Sequence, residues 1–198
     1  MEKILVTGAS GFIGSFIVEE ALDRGLEVWA AVRRSSSREY LKDERIHFIE
    51  LNLSSQEQLE EQLRNYMFDY VVHAAGATKC LHTSDFFRIN TEGTKNLVRA
   101  LIAIGMPLKR FVFVSSLSIM GAIREQLPYK EICDTDKPQP NTAYGCSKLE
   151  AERFLETLTD FPYVILRPTG VYGPREKDYF LQVKSIKGHI DFSVGFTH

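Results

Sequence analysis

The chain has 198 residues, with 24 Lys and Arg against 26 Asp and Glu, a net charge of −2 and a pI near 6.2. At 44% hydrophobic and 25% charged residues its usage is that of a globular protein and excludes a disordered chain. The balanced charge gives no electrostatic footprint for nucleic acid or an acidic membrane surface, and no apolar run approaches the roughly 18 residues that span a bilayer.

Length allows one domain, or one and a fragment, at roughly 100–200 residues per domain. The start MEKILVTGAS lacks the long apolar segment and cleavage site of a secretory leader. Cys80, Cys133 and Cys146 are odd in number and widely spaced, so neither a disulfide framework nor a zinc site is expected, and no metal is assigned. The expectation is a cytoplasmic protein.

Short apolar runs alternate with longer helical patterns. Lys3–Thr7 (KILVT) reads as a strand buried on both faces. From Phe12 to Arg24, apolar residues at 12, 13, 16, 17, 21 and 22 share one helical face. Strands follow at Val28–Val32 and Ile46–Leu51, and Ser54 with Glu57 predicts a capping box opening a helix to about Tyr66. Tyr70–Ala74 is the fourth strand. A helical pattern from about Ser84 to Ile104 ends at Gly105 and Pro107, as helix stop signals require. Arg110–Ser115 is the fifth strand, Ala143–Leu158 a helix and Tyr163–Leu166 the sixth strand. The alternation predicts an α/β, doubly wound parallel sheet. The stretch Gly121–Asn141, with three prolines, reads as a long loop of the kind that is more often functional or mobile. Beyond Gly173 the pattern weakens and no closing helix is expected.

Gly8, Gly11 and Gly14 follow the first strand and open the first helix. Glycine there permits a tight turn and lets a dinucleotide pyrophosphate approach bare backbone, while the helix N-terminus offers free N–H groups. A sharp strand-to-helix turn alone would use the same residues. The second strand ends in Arg33 and Arg34, with Arg38 nearby, where an acidic residue would bind a free ribose 2′-hydroxyl. A guanidinium there fits a 2′-phosphate, so the expected cofactor is NADP, with NAD as the alternative; solvated surface charges are the plainer reading.

Tyr144 is the one tyrosine of eight with a lysine four residues later. On a helix the pair shares a face, and an ammonium beside the phenol lowers its ordinary pKa of about 10, making Tyr144 a usable general acid/base. A surface-facing pair is the alternative. Ser115 and Ser116 stand at the C-terminal end of the fifth strand, the edge where open α/β sheets bind ligands.

These segments together resemble the extended short-chain dehydrogenase/reductase superfamily, the NAD(P)-dependent epimerase/dehydratase family. The matching stretches are Thr7–Gly14 (TGASGFIG), His73–Gly76 (HAAG), Asn90–Leu97 (NTEGTKNL), Phe113–Gly121 (FVSSLSIMG), Tyr144–Lys148 (YGCSK) and Arg167–Pro174 (RPTGVYGP), in the family's order. The resemblance implies an NAD(P)-binding Rossmann-like domain over residues 1–174 and, over 175–198, the start of an incomplete C-terminal substrate-binding lobe, so a truncated chain is expected.

The resemblance further implies Tyr144 as acid/base, Lys148 as its partner and a nicotinamide-ribose ligand, and Ser116 as the hydroxyl that orients the substrate oxygen. Met120 stands where the family usually has Tyr, a departure on the substrate side. The implied cofactor contacts are Gly8, Ser10, Gly11, Phe12, Ile13, Gly14, Arg33, Asn52, Leu53, Ala74, Ala75, Gly76, Tyr144, Lys148 and Pro168. His73 is read as a structural histidine. The resemblance also implies a homodimer through the helices at 84–104 and 143–158, and a small-molecule substrate. The function expected is NADPH-dependent carbonyl reduction. A nucleotide-sugar epimerase or dehydratase using NAD is the alternative, and a non-catalytic NAD(P) sensor or scaffold is the alternative of another class.

Overall fold

The computed structural model describes residues 1–123 and 131–188. Its six strands, β1 (Lys3–Thr7), β2 (Glu27–Val32), β3 (His47–Glu50), β4 (Tyr70–His73), β5 (Arg110–Val114) and β6 (Tyr163–Leu166), form one sheet in the order β3-β2-β1-β4-β5-β6. Every neighbouring pair is parallel, as the alternating pattern predicts. The chain winds outward from β1 to β3 and then crosses back to β4, so the order reverses between β1 and β4. Thr7 pairs with Ala31 on one side and His73 on the other, which levels three strand ends at this switch point, where such sheets bind ligands.

Both faces are covered, which is why the strands read as near-continuous apolar runs. On one face Ile4, Val6, Val28, Ala30 and Val32 meet Val18, Ala21 and Leu22 of α1 (Phe12–Asp23). On the other, Leu5, Val71, Phe111 and Phe113 pack on Leu59 and Leu63 of α2 (Gln56–Leu63), on helical Leu97 and Leu101, and on Ala151 and Leu155. Trp29 of β2 stacks on His47 at 4.8 Å and meets Tyr66 edge-on at 4.9 Å.

The helices depart from the sequence pattern in three places. The helix cap is displaced by one residue and is not a reciprocal box: the N–H and hydroxyl of Ser54 both donate to Asn52 Oδ1, at 3.1 and 2.7 Å, so Ser55 caps α2 by accepting the Gln58 N–H. The helix expected over 84–104 is three segments, α3 (Thr83–Phe86), a π-helical turn over Phe87–Glu92 and α4 (Gly93–Ala103). After α5 (Ala143–Glu156) and β6, a helix expected to be absent is present as α6 (Asp178–Lys187). The Glu176 carboxylate starts it by accepting the N–H groups of Tyr179 and Phe180 at 2.7 and 3.2 Å. Within the loop expected over 121–141, residues 124–130 lie outside the described residues, as do residues 189–198 of the tail.

Among the described residues no helix is long and apolar enough to cross a membrane, and no cluster of His, Cys, Asp or Glu could hold a metal ion.

Candidate active site

A cleft of about 730 Å³ opens at the switch point. The predicted residues Gly8, Ser10, Gly11, Arg33, Asn52, Leu53, Ala74, Ala75 and Gly76 all line it. Gly8 has φ +70°, and a Cβ there would stand 2.6 Å from the backbone of Ala74 and Ala75. A Cβ on Gly14 would meet the Gly8 carbonyl oxygen. The turn therefore closes only on bare backbone. Gly11 starts α1 without a side-chain cap, which leaves first-turn N–H groups for an anion. This cradle fits a dinucleotide pyrophosphate. Phe12 and Ile13 lie elsewhere: they line a separate apolar groove with Phe16, Val171 and Tyr172, so any contact with a cofactor is through their backbone.

A chain of buried hydrogen bonds fixes the cleft floor. Thr94 Oγ1 donates to the Asn90 carbonyl at 2.6 Å, so it accepts from His73 Nε2 at 3.0 Å. That leaves His73 Nδ1 as the acceptor for the Thr7 hydroxyl at 2.6 Å, and Thr7 Oγ1 in turn accepts the Ala75 N–H at 3.3 Å. Burial, helped by the Lys148 charge, pushes the His73 imidazole down to about 3. It is neutral and structural, as the sequence suggests. Asn90 continues the chain: its Oδ1 accepts the Ala77 N–H at 2.7 Å, while its Nδ2 donates to the Ala77 carbonyl and to Ser147 Oγ. Thr91 Oγ1 donates to the Ser147 carbonyl. The π turn is thereby bonded to α5.

Helix α5 starts where Thr142 Oγ1 accepts the Gly145 N–H at 3.0 Å. It carries Tyr144 and Lys148 to the β5 edge. Lys148 is almost fully buried. Its Nζ donates to the Val114 carbonyl at 2.9 Å, lies 4.9 Å from the centre of the Phe113 ring, and is 3.2 Å from where a Gly76 Cβ would stand. Burial pushes this ammonium down to about 8, against the supporting charge of Glu152. Tyr144 is half-buried beside Phe86. Burial raises its phenol above the ordinary value, and the neighbouring Ser116 hydroxyl works in the opposite direction. Burial outweighs the expected lowering by Lys148, whose ammonium donates to the Val114 carbonyl instead. Ser116 Oγ accepts the Ser118 N–H and donates to Ser118 Oγ, both at 3.1 Å, capping a short 3₁₀ turn over Leu117–Ile119. The buried Ser115 hydroxyl has no partner among the described residues. Pro168 sits opposite, its carbonyl accepting the Leu117 N–H at 2.9 Å.

At the far end of the cleft, Asn52 is already engaged: Nδ2 donates to Gln58 Oε1 at 2.6 Å and its N–H to Gln62 Oε1 at 3.1 Å. Leu53 is held by Asn96 Nδ2, which donates to its carbonyl at 3.0 Å. Arg33 lines the same end, together with Ser36 and Glu50. Arg38 is turned away, its guanidinium 4.2 Å over the Phe48 ring. Sequence reasoning missed Asn90, Ser147, Glu152 and Arg167, which meet only through the fold. It also missed Arg175. Among the described residues this is the one non-glycine with left-handed backbone (φ 74°), and its guanidinium donates to Ser15 Oγ at 3.0 Å and Glu19 Oε1 at 2.6 Å.

Comparison with known proteins bears on these features. The sequence profile of the NAD dependent epimerase/dehydratase family matches residues 4–187. The UDP-glucose 4-epimerase of Vibrio cholerae is 33% identical over 190 residues, which are 90% of this chain and 55% of that enzyme. The crystal structure of the Bordetella bronchiseptica enzyme WbmH in complex with NAD+ superposes with TM-score 0.81 at 27% identity, over 96% of this chain and 64% of that one. The Thermus thermophilus UDP-glucose 4-epimerase complex with NAD gives 0.77 at 30% identity, over 88% and 57%. This chain spans between 55% and 64% of the length of these relatives.

The WbmH, WbmG and Thermus thermophilus structures hold NAD, which overturns the expectation of NADP and removes the support for NADPH-dependent carbonyl reduction. The Arg33 guanidinium does not require a 2′-phosphate, because its donors serve hydroxyl as well as phosphate oxygens. Glu50 at the same end of the cleft would also repel a 2′-phosphate. Fold, glycine cradle and profile agree: the chain belongs to the NAD dependent epimerase/dehydratase family.

Proposed function

We propose that this chain forms the cofactor-binding and catalytic half of an NAD-dependent epimerase or dehydratase acting on a nucleotide sugar. The observation that carries the reading is the convergence, at one sheet edge, of a glycine cradle with Ser116, Tyr144 and Lys148. Gly8, Ser10, Gly11 and the backbone of Phe12 and Ile13 would hold the pyrophosphate of NAD over Gly14. Arg33, Asn52 and Leu53 would hold its adenosine, and Ala74, Ala75, Gly76, Lys148 and Pro168 its nicotinamide riboside. When bound, NAD supplies a reversible acceptor and donor of hydride.

The chain's own groups handle position and proton. Tyr144, as its phenolate, accepts the proton of a substrate hydroxyl as hydride leaves the same carbon, and the phenol so formed returns the proton in the reverse step. Ser116, by breaking its bond to Ser118, donates to the substrate oxygen and fixes its direction. Lys148, cationic below about pH 8, favours the ionised phenol once water is excluded and local charges act more strongly. A nucleotide sugar is the substrate of the Vibrio relative by its name, and the 33% identity supports the same class here.

Calorimetric titration with NADH and NADPH tests the reading. NADH is expected to bind at least about tenfold more tightly, a difference of ~1.4 kcal/mol. Equal affinity or preference for NADPH overturns the cofactor assignment, and binding of neither overturns the site. A cofactor recycled within turnover further separates the epimerase from a reductase, which consumes one NAD(P)H for each product.

A further inference from the structure

Glu152 lies one helical turn after Lys148 on α5 and is completely buried. A carboxylate in that position is costly unless paired. Its partner is Arg167, at the end of β6: Nε donates to the two carboxylate oxygens at 3.2 and 3.1 Å, and Nη2 donates to Oε2 at 2.7 Å. The residues flanking Arg167 are bonded to the serine segment. The Leu166 carbonyl accepts the Ser115 N–H at 2.8 Å, and the Pro168 carbonyl accepts the Leu117 N–H at 2.9 Å. Lys148 closes the circuit from the other side by donating to Val114 at 2.9 Å. The ion pair thus joins the helix that bears Tyr144 and Lys148 to the strand end against which Ser116 is set.

We propose that Glu152 and Arg167 are positioning residues for the active site, holding α5 in register with the β5–β6 edge and giving Lys148 its buried counter-charge. The inference rests on the NAD reading above. Packing does not account for the pair, since apolar side chains of similar volume fill such a space at equal or lower free energy. Several groups face this region. His73 of β4 is buried and neutral, and Tyr144 stands one turn before Lys148 on α5. The charges of Glu156 and Asp134 also favour the cationic form of Arg167. Glu152 is the group that supports the Lys148 charge against burial.

The test is NADH affinity measured against pH, between about pH 6.5 and 10. The wild-type chain is expected to lose affinity with a midpoint near 8, where Lys148 gives up its proton. Glu152→Gln moves the midpoint down by about one unit and weakens binding above it about tenfold. Arg167→Gln, which leaves the carboxylate to Lys148 alone, moves the midpoint up, and Arg167→Lys restores it. A role in packing alone lowers the thermal midpoint of these variants and leaves the pH midpoint where it was, which overturns the inference. Should Glu152→Gln fail to fold, the two Arg167 variants decide, and equal midpoints in them overturn it. A wild-type chain that binds no NADH instead overturns the cofactor reading, and this inference with it.

Discussion

The side-chain amide of Asn90 donates to Ser147 Oγ at 3.0 Å while both its ends are bonded to the backbone of Ala77. One fully buried side chain thus joins the π turn, the cleft floor and the helix that carries Tyr144 and Lys148. Asn90→Ala leaves those partners unmet, at about 1–3 kcal/mol for each buried group that finds no other. Urea unfolding should show a loss in that range together with weaker NADH binding. A loss below about 0.5 kcal/mol, typical of a surface change, would contradict the assignment.

His73 sets an acid limit. Its folded pKa, near 3, lies below the ordinary value of about 6.5, so between these values the unfolded chain binds a proton that the native state refuses. The unfolded state then holds more protons, and stability rises with pH. The contribution is complete above about pH 6.5 and is lost as pH falls toward 3. Denaturant midpoints taken at stepwise lower pH should fall across that window. In His73→Gln the step should be smaller, and the His73 imidazole resonances of the wild type should not titrate at neutral pH.

The glycine cradle makes a steric prediction. In Gly14→Ala the new methyl enters the Gly8 carbonyl, backbone against backbone, with no flexible side chain to give way. Overpacking of this kind costs about 1–3 kcal/mol. The expected outcome is a lower thermal midpoint and no measurable NADH binding, and a variant that keeps wild-type affinity would remove the cradle from the site.

Tyr144 and Lys148 should separate in their effects. On the proposed roles, Tyr144→Phe removes the proton relay and leaves the glycine cradle intact, so turnover should fall by about 10²–10⁴-fold with NADH affinity little changed. Lys148→Met should weaken NADH binding as well, and abolish its dependence on pH in the alkaline range. The inverse pattern, in which Tyr144→Phe loses cofactor and keeps activity, would reverse the roles.

Much of this fold was legible because its signals are local. The apolar run of β1 and the glycines behind it are contiguous, and the four-residue step from Tyr144 to Lys148 is itself the geometry of a helix. The π turn was hidden because one wider turn barely disturbs a 3.6-residue period. The cap of α2 shifts by one residue because Asn52 Oδ1 takes both the N–H and the hydroxyl of Ser54, a local side-chain contact that competes with capping and that sequence does not rank. Helix α6 gave no stripe: Tyr179, Phe180, Leu181, Val183 and Ile186 are all exposed. Arg33 lines the cleft, but a preference for a 2′-phosphate does not follow from it, since Glu50 arrives at the same end from another strand. Glu152 and Arg167 stand fifteen residues apart, and only sheet order brings them together.

Trp29, the one tryptophan of the chain, sits within β2, a few residues before Arg33 at the cleft. Its indole is wedged between His47 and Tyr66. The reduced nicotinamide ring absorbs in the region where indole emits. The sequence has therefore installed a single optical antenna on the adenosine side of the sheet: its emission should be quenched by energy transfer as NADH fills the cleft and be spared by NAD. Redox state and occupancy could then be followed in the native chain without a label.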